Sequence, residues 1–199
     1  MKPDHTPAEE SIIKKIDRRT FLKATGITAS GLVLGLQWAC KPSTSNATFS
    51  PNVYLTINGD GSIIIVAHRQ EMGTGIRTGL PMIIADELEA NWERVKLVQA
   101  VGDEKTYGNQ NTDGSFSVRM FFEPMRKAGA MARRMLEQAA ADTWGVDVSE
   151  CKAQNHEVLH TGGKTLGYGA LAEAASKLPA PADEVVVLKK KSEWKYIGK

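Results

Sequence analysis

One strong helix spans residues 117–144, rich in Ala, Met, Arg and Leu, and the rest of the chain has to be arranged around it. A helix of that length buries an apolar stripe against another layer. Upstream, Val53-Tyr54-Leu55-Thr56-Ile57 alternates, Asn58-Gly59-Asp60-Gly61 turns, and residues 62–67 return as an apolar run. This is a hairpin pattern, because glycine supplies the positive φ that a tight turn requires. Residues 76–90 read as a second helix, with Ile76, Leu80, Ile83, Ile84 and Leu88 near helical spacing and Pro81 tolerated in the first turns. Residues 94–100 read as a strand. Downstream come a strand start at 149–154, a hairpin-like unit at 156–165, a short helix at 168–177 and a strand-like run at 185–188. This order predicts an α+β domain in which a mixed sheet packs against helices.

The first forty residues read as an address and not as fold. Asp17-Arg18-Arg19-Thr20-Phe21-Leu22-Lys23 opens onto a mildly apolar stretch, residues 24–39. Basic, apolar and polar regions follow in the order of an export signal. The stretch resembles a twin-arginine signal, with Asp17 where Ser or Thr is usual. That route moves folded proteins across the bacterial inner membrane, which suits a protein that receives a cytoplasmic cofactor first. The apolar stretch is shorter than the roughly 20 residues needed to span a bilayer, and Gly26, Gly31 and Gly35 dilute it. A cleaved leader is therefore expected over a permanent span. Gln37-Trp38-Ala39-Cys40 is a poor lipoprotein box, so lipid on Cys40 and a plain thiol both stay open. The expected organisation is a signal segment at 1–40, a Ser/Thr/Asn/Pro-rich linker at 41–51 and a domain at 52–199. The expected location is periplasmic, with inner-membrane association as an open variant.

Roughly 155 residues remain after the leader, enough for one domain with a core. With 42% apolar and 24% charged residues, composition is ordinary. A net charge of +2 gives no basis for nucleic acid as a partner. The two cysteines, Cys40 and Cys151, have no metal-ligand spacing, and Cys151 with His156 and His160 is a weak approach to one.

Two glycine-containing loops lead into helices. Residues 71–78 precede one, and residues 112–119 close the long polar stretch before the other. Backbone N–H groups at a helix start favour anions, and glycine permits close approach. Neither loop is a Walker A or dinucleotide fingerprint. Arg119 is placed to meet a phosphate or close a salt bridge, whereas Arg126, Arg133 and Arg134 read as a solvated face. Trp92, Trp144 and Trp194 read as core or interface anchors.

Several stretches resemble the molybdenum hydroxylases, the xanthine dehydrogenase and aldehyde oxidase relatives. His68-Arg69-Gln70-Glu71-Met72-Gly73-Thr74-Gly75, followed by Thr78, is similar to their Glu-Met-Gly-Gln-Gly-x-x-Thr loop. Asn111-Thr112-Asp113-Gly114-Ser115-Phe116-Ser117 looks like their second pterin loop, and Arg126-x-Ala128-Gly129-Ala130-x-Ala132-Arg133 like the helix behind it. Residues 163–175 and 192–199 are similar too. With its leader, the chain most resembles the isoquinoline 1-oxidoreductase β-subunit type.

The resemblance implies molybdopterin cytosine dinucleotide as cofactor and Gly73, Thr74, Gly75, Thr112, Gly114, Ser115, Phe116 and Ser117 as cofactor-binding residues. It implies as partners the remainder of the large subunit, a [2Fe-2S] small subunit, a cytochrome c and the twin-arginine translocase. The implied reaction is oxidative hydroxylation of N-heteroaromatics or aldehydes. Thr74 replaces the usual Gln, and the family's catalytic Glu belongs to a part beyond Lys199. No residue here is assigned as catalytic or as a metal ligand, and the chain alone is expected to be inactive. The rival reading is a non-catalytic exported binding domain.

Overall fold

The computed structural model describes residues 47–199. The leader, Cys40 and the first part of the expected linker lie outside the described residues.

Two sheets and four helices make up this region. The first sheet is mixed, in the order β1 (Thr48–Asn52), β2 (Leu55–Asn58), β3 (Ile63–Ala67), β4 (Val95–Gln99). Strands β1 to β3 are antiparallel neighbours, and β4 runs parallel to β3. The expected hairpin is β2–β3, with Thr56 opposite Ile64. Its turn holds Gly61 at φ 81, and the Asn58 side chain donates to Ser62 Oγ at 2.9 Å. Alternation sends Leu55, Ile57, Ile63 and Ile65 into the core.

Strand β1 occupies the end of the stretch read as a linker. Pro51 and its polar neighbours hid it, but Phe49 is buried to 1% exposure and anchors the strand. Proline is tolerated because β1 is an edge.

Helix α1 (Ile76–Glu87) follows β3 and makes the crossover to β4. A short helix α2 (Glu104–Tyr107) lies inside the long polar loop. Helix α3 (Phe116–Trp144) has 29 residues and ends at Gly145 in the left-handed region, a common C-terminal stop. Among the described residues no helix is long and apolar enough to cross a membrane. The second sheet, β5 (Cys151–Gln154), β6 (Glu157–His160) and β7 (Thr165–Gly167), is antiparallel, and helix α4 (Tyr168–Ser176) follows it.

The core lies between the first sheet and the helices. Leu80, Ile84 and Leu88 from α1, Met125 and Leu136 from α3, and Tyr168 and Leu171 from α4 are almost fully buried. Each such side chain contributes roughly 1.5–3 kcal/mol relative to exposure. Helices α1 and α3 approach backbone to backbone at Gly129, where a Cβ would sit 2.5 Å from the Ile84 carbonyl oxygen.

Residues 185–188 do not form the expected strand. Val185 belongs to a 3-10 turn, Asp183–Val185, and Val187 is 73% exposed. Carbonyls here bond side chains instead: Arg133 Nη2 donates to Val187 O and, just past the segment, Arg126 Nη2 donates to Lys189 O, both at 2.5 Å.

Candidate functional site

The site is built where β3 ends and α3 begins. Past Ala67 the chain turns His68 and Arg69 inward, each 1% exposed. The Arg69 guanidinium reaches across to the second loop. Its Nη1 donates to Asn109 O at 2.6 Å and to Asn109 Oδ1 at 2.7 Å, and its Nε donates to Ser117 Oγ at 3.1 Å. It also lies 5.2 Å from the centre of the Phe121 ring. Burial pulls its pKa down, opposed by Asp113 and Glu104.

The His68 ring sits between Tyr54 and Phe121, with centroids at 5.1 and 4.4 Å. Burial, then the Arg69 charge, pushes its pKa down to about 4. The imidazole is therefore neutral near pH 7.

The two glycine loops form one hydrogen-bonded unit. Gln70 N donates to Gln110 O at 3.4 Å, and Thr112 Oγ1 donates to Gln70 O at 2.7 Å. Gln110 Nε2 donates to His68 O at 3.0 Å and to Val101 O at 2.8 Å. The long polar stretch is thus an ordered strut whose side chains satisfy the backbone of its neighbour.

The starts of the two helices differ in what they can accept. At α1, Glu71 folds back: Oε1 accepts from Gly75 N at 3.1 Å and Oε2 from Arg77 N at 3.0 Å. The Arg77 N–H chiefly holds this carboxylate below its ordinary range, with burial opposing and Gly75, Gly73 and Thr74 assisting. The positive end of α1 is already neutralised by a carboxylate, so Gly75 has no free N–H for a phosphate. Gly73 and Gly75 have φ of 87° and 77°, and nothing stands near an added Cβ at either. At these two positions glycine serves the backbone angle.

At α3 the end is open. Ser115 is its N-cap, at φ 57°, and its side chain makes no cap bond. A cleft of about 480 Å³ lies here, lined by Thr74, Thr112, Gly114, Ser115 and Ser117, with Ile76, Asp113 and Val118. Five of the eight expected binding residues therefore meet in one place. Gly73, Gly75 and Phe116 do not line it. Phe116 is 40% exposed and carries the Arg119 guanidinium 4.5 Å from its ring centre, so Arg119 makes a cation–π contact. Gly114 is set by that same ring, since a Cβ would lie 2.7 Å from it and φ is 49°.

Among the described residues no group of three or more metal-ligating side chains is gathered. His156 instead accepts from Asn91 N through Nδ1 at 3.2 Å and bonds Gly61 O through Nε2 at 2.7 Å. His160 Nε2 lies 3.4 Å from Glu150.

Arg126 and Arg133 are not a solvated face. Arg126 Nε donates to Glu87 Oε1 at 2.6 Å, and Arg133 Nη1 to Glu87 O at 2.6 Å. Asp86 and Glu87 are fully buried at the end of α1. Lys189 Nζ binds Asp86 Oδ1 at 2.8 Å and Glu89 Oε1 at 2.7 Å, while Lys195 also pairs with Glu89. The N–H groups of Tyr196 and Ile197 donate to Asp86 Oδ2 at 2.9 Å. No spacing in the sequence announced this cluster, because its members come from three separate stretches of chain.

The open helix end, the Ser115 hydroxyl without a partner among the described residues and the close loop backbones suit a ligand with many oxygen acceptors and negative charge. A sequence model described as molybdopterin cofactor-binding domain matches residues 10–196. The chain belongs to this molybdopterin-binding family.

The beta subunit of isoquinoline 1-oxidoreductase from Brevundimonas diminuta is 36% identical over 73% of this chain and 20% of its own length. A nicotinate dehydrogenase subunit of Pseudomonas putida is 30% identical over 74% of this chain and 12% of its own. The membrane-bound aldehyde dehydrogenase [pyrroloquinoline-quinone] of Gluconacetobacter polyoxogenes is 30% identical over 92% of this chain and 25% of its own. The chain thus spans a quarter or less of these relatives. Among solved structures, quinoline 2-oxidoreductase from Pseudomonas putida 86 aligns with a TM-score of 0.48 and 18% identity, over 65% of this chain and 17% of that one. The family matches the molybdenum hydroxylase resemblance of the loops and assigns molybdopterin as the cofactor class.

Proposed function

We propose that this chain is the N-terminal portion of the large subunit of a molybdenum hydroxylase acting on N-heteroaromatics or aldehydes. The observation that carries the reading is the single cleft shared by Thr74, Thr112, Gly114, Ser115 and Ser117, in a chain of the molybdopterin-binding family. The names of the isoquinoline, nicotinate and aldehyde relatives support the substrate range.

The proposed cofactor is molybdopterin cytosine dinucleotide, which when bound supplies the molybdenum at which the substrate carbon is oxidised. This chain holds and orients it. Ser115 has a hydroxyl free to donate. Ser117 accepts from Arg69 through its oxygen and keeps its proton for the cleft. Thr112 spends its proton on Gln70 O, so towards the cleft it acts as an acceptor. Catalytic acid–base groups come from the remainder of the large subunit, and electrons leave to a [2Fe-2S] small subunit and a cytochrome c.

The proposed location is the periplasm, reached through the twin-arginine translocase. Replacing Arg18 and Arg19 together by Lys is expected to hold the precursor in the cytoplasm, and unchanged periplasmic levels would refute export by this route. For the function, the complete enzyme containing this chain is purified and its molybdenum, cytidine nucleotide and turnover of quinoline-type heterocycles and aldehydes are measured. Metal, nucleotide and turnover together are expected. Their joint absence would leave a non-catalytic exported binding domain.

A further inference from the structure

Helices α1 and α3 both begin at the bonded loop unit. Glu87 lies roughly 16 Å along α1 from Ile76, and Arg126 roughly 15 Å along α3 from Phe116, at 1.5 Å per residue. The start of α3 is held to the chain just past β3, where Arg69 meets Ser117 at 3.1 Å, and among the described residues α1 and α3 are fastened directly to each other only at the far level. At the far level, Glu87 takes Arg126 Nε at 2.6 Å on one carboxylate oxygen and Lys189 N at 3.0 Å on the other, with Arg133 Nη1 at 3.5 Å from the second. At this same level, Gly129 lets α3 press onto Ile84 and Glu87. The Glu87 side chain is fully buried, and those of Arg126 and Arg133 are only 15% and 13% exposed.

We infer that Glu87 is a positioning residue: its carboxylate fixes how α1 and α3 lie against each other, and through two rigid helices it sets the spacing of the loops that line the cleft. A buried ion pair adds little net stability over apolar side chains of the same volume. What it does specify is one arrangement, because any slide or rotation of α3 leaves a charge without its partner. The inference rests on the proposed cofactor role of the cleft.

The test uses the complete enzyme with Glu87→Gln, which keeps the shape and removes the charge. Lys127→Ala serves as the comparison, since Lys127 pairs at the surface of the same helix with Glu123 at 3.7 Å and Asp183 at 3.6 Å. Amide exchange of residues 69–75 and 109–117 is measured without cofactor, followed by molybdenum per chain and kcat and KM per molybdenum. Glu87→Gln is expected to speed exchange in both loops and to lower kcat per molybdenum roughly 10- to 100-fold with KM within about twofold. Lys127→Ala is expected to change neither. Wild-type exchange and wild-type kcat per molybdenum in Glu87→Gln, with only a lower melting temperature, would overturn the inference. If Glu87→Gln fails to fold, Glu87→Gln with Arg126→Gln removes both charges of the 2.6 Å pair and carries the same readouts. Wild-type enzyme without molybdenum would refute the cofactor reading, and the exchange measurement would still decide Glu87.

Discussion

Arg69 Nε donates to Ser117 Oγ across 3.1 Å, and this bond joins the end of strand β3 to the first turn of helix α3. The guanidinium serves two directions at once, since its Nη1 holds both oxygens of Asn109. An ammonium group cannot reproduce that planar fork. Arg69→Lys is expected to cost at least about 1.5 kcal/mol, because bonds from a charged donor are worth roughly 1.5–3 kcal/mol each and at least one is lost. Urea denaturation checks this, and a loss below about 1 kcal/mol would show that the fork contributes little.

Gly129→Ala tests the helix contact. Alanine is the better helix former by about 1 kcal/mol in isolation. Here its Cβ would meet Ile84 O at 2.5 Å and Glu87 Cβ at 2.9 Å. Overpacking of this kind costs roughly 1–3 kcal/mol, so the net change is expected to be destabilising. A thermal melt with an unchanged or raised midpoint would show that α1 and α3 separate without penalty.

His68 makes stability depend on pH with a defined sign. Its folded pKa of about 4 lies below the ordinary 6.5, so the unfolded chain takes up the proton first. Its contribution is complete above 6.5 and is lost as the pH falls from 6.5 towards 4. His68→Leu removes this proton uptake. Wild-type stability is therefore expected to fall relative to His68→Leu across that window and to run parallel to it above. Parallel curves throughout would show that the buried imidazole is not held neutral.

What the sequence made legible divides along the range of the interaction. The β2–β3 hairpin was readable because its turn chemistry, Asn58 to Gly61, is local. Helix α1 was readable from apolar spacing, and α3 from its run of strong helix formers. Strand β1 was not, since a single buried Phe49 outweighs the polar and proline residues around it. The segment 185–188 has strand-like residues, but α3 arginines take the carbonyl of Val187 and that of the adjoining Lys189 where a neighbouring strand would. Within the site, the hydroxyl-bearing loop was visible as a motif. The cap from Glu71 onto Gly75 and Arg77, and the burial of Glu87 by Arg126 and Arg133, depend on chain reversals that no spacing reports.

The cleft itself is best tested at Ser115. Gly114→Val is a poor probe, because a side chain there would strike the Phe116 ring whether or not a ligand binds. Ser117→Ala is ambiguous as well, because it removes the acceptor of Arg69. Ser115 makes no cap bond, so Ser115→Ala removes a free hydroxyl and leaves the fold as it is. The measurement is molybdenum and cytidine nucleotide per chain in the complete enzyme, wild type against Ser115→Ala, after dilution into cofactor-free buffer. A lost hydrogen bond to a charged group costs roughly 1.5–3 kcal/mol, so the variant is expected to retain cofactor at least about tenfold less tightly, with its cofactor-free melting midpoint unchanged. Cofactor content equal to wild type under the same dilution would contradict the assignment of this cleft as the place where the chain holds its cofactor.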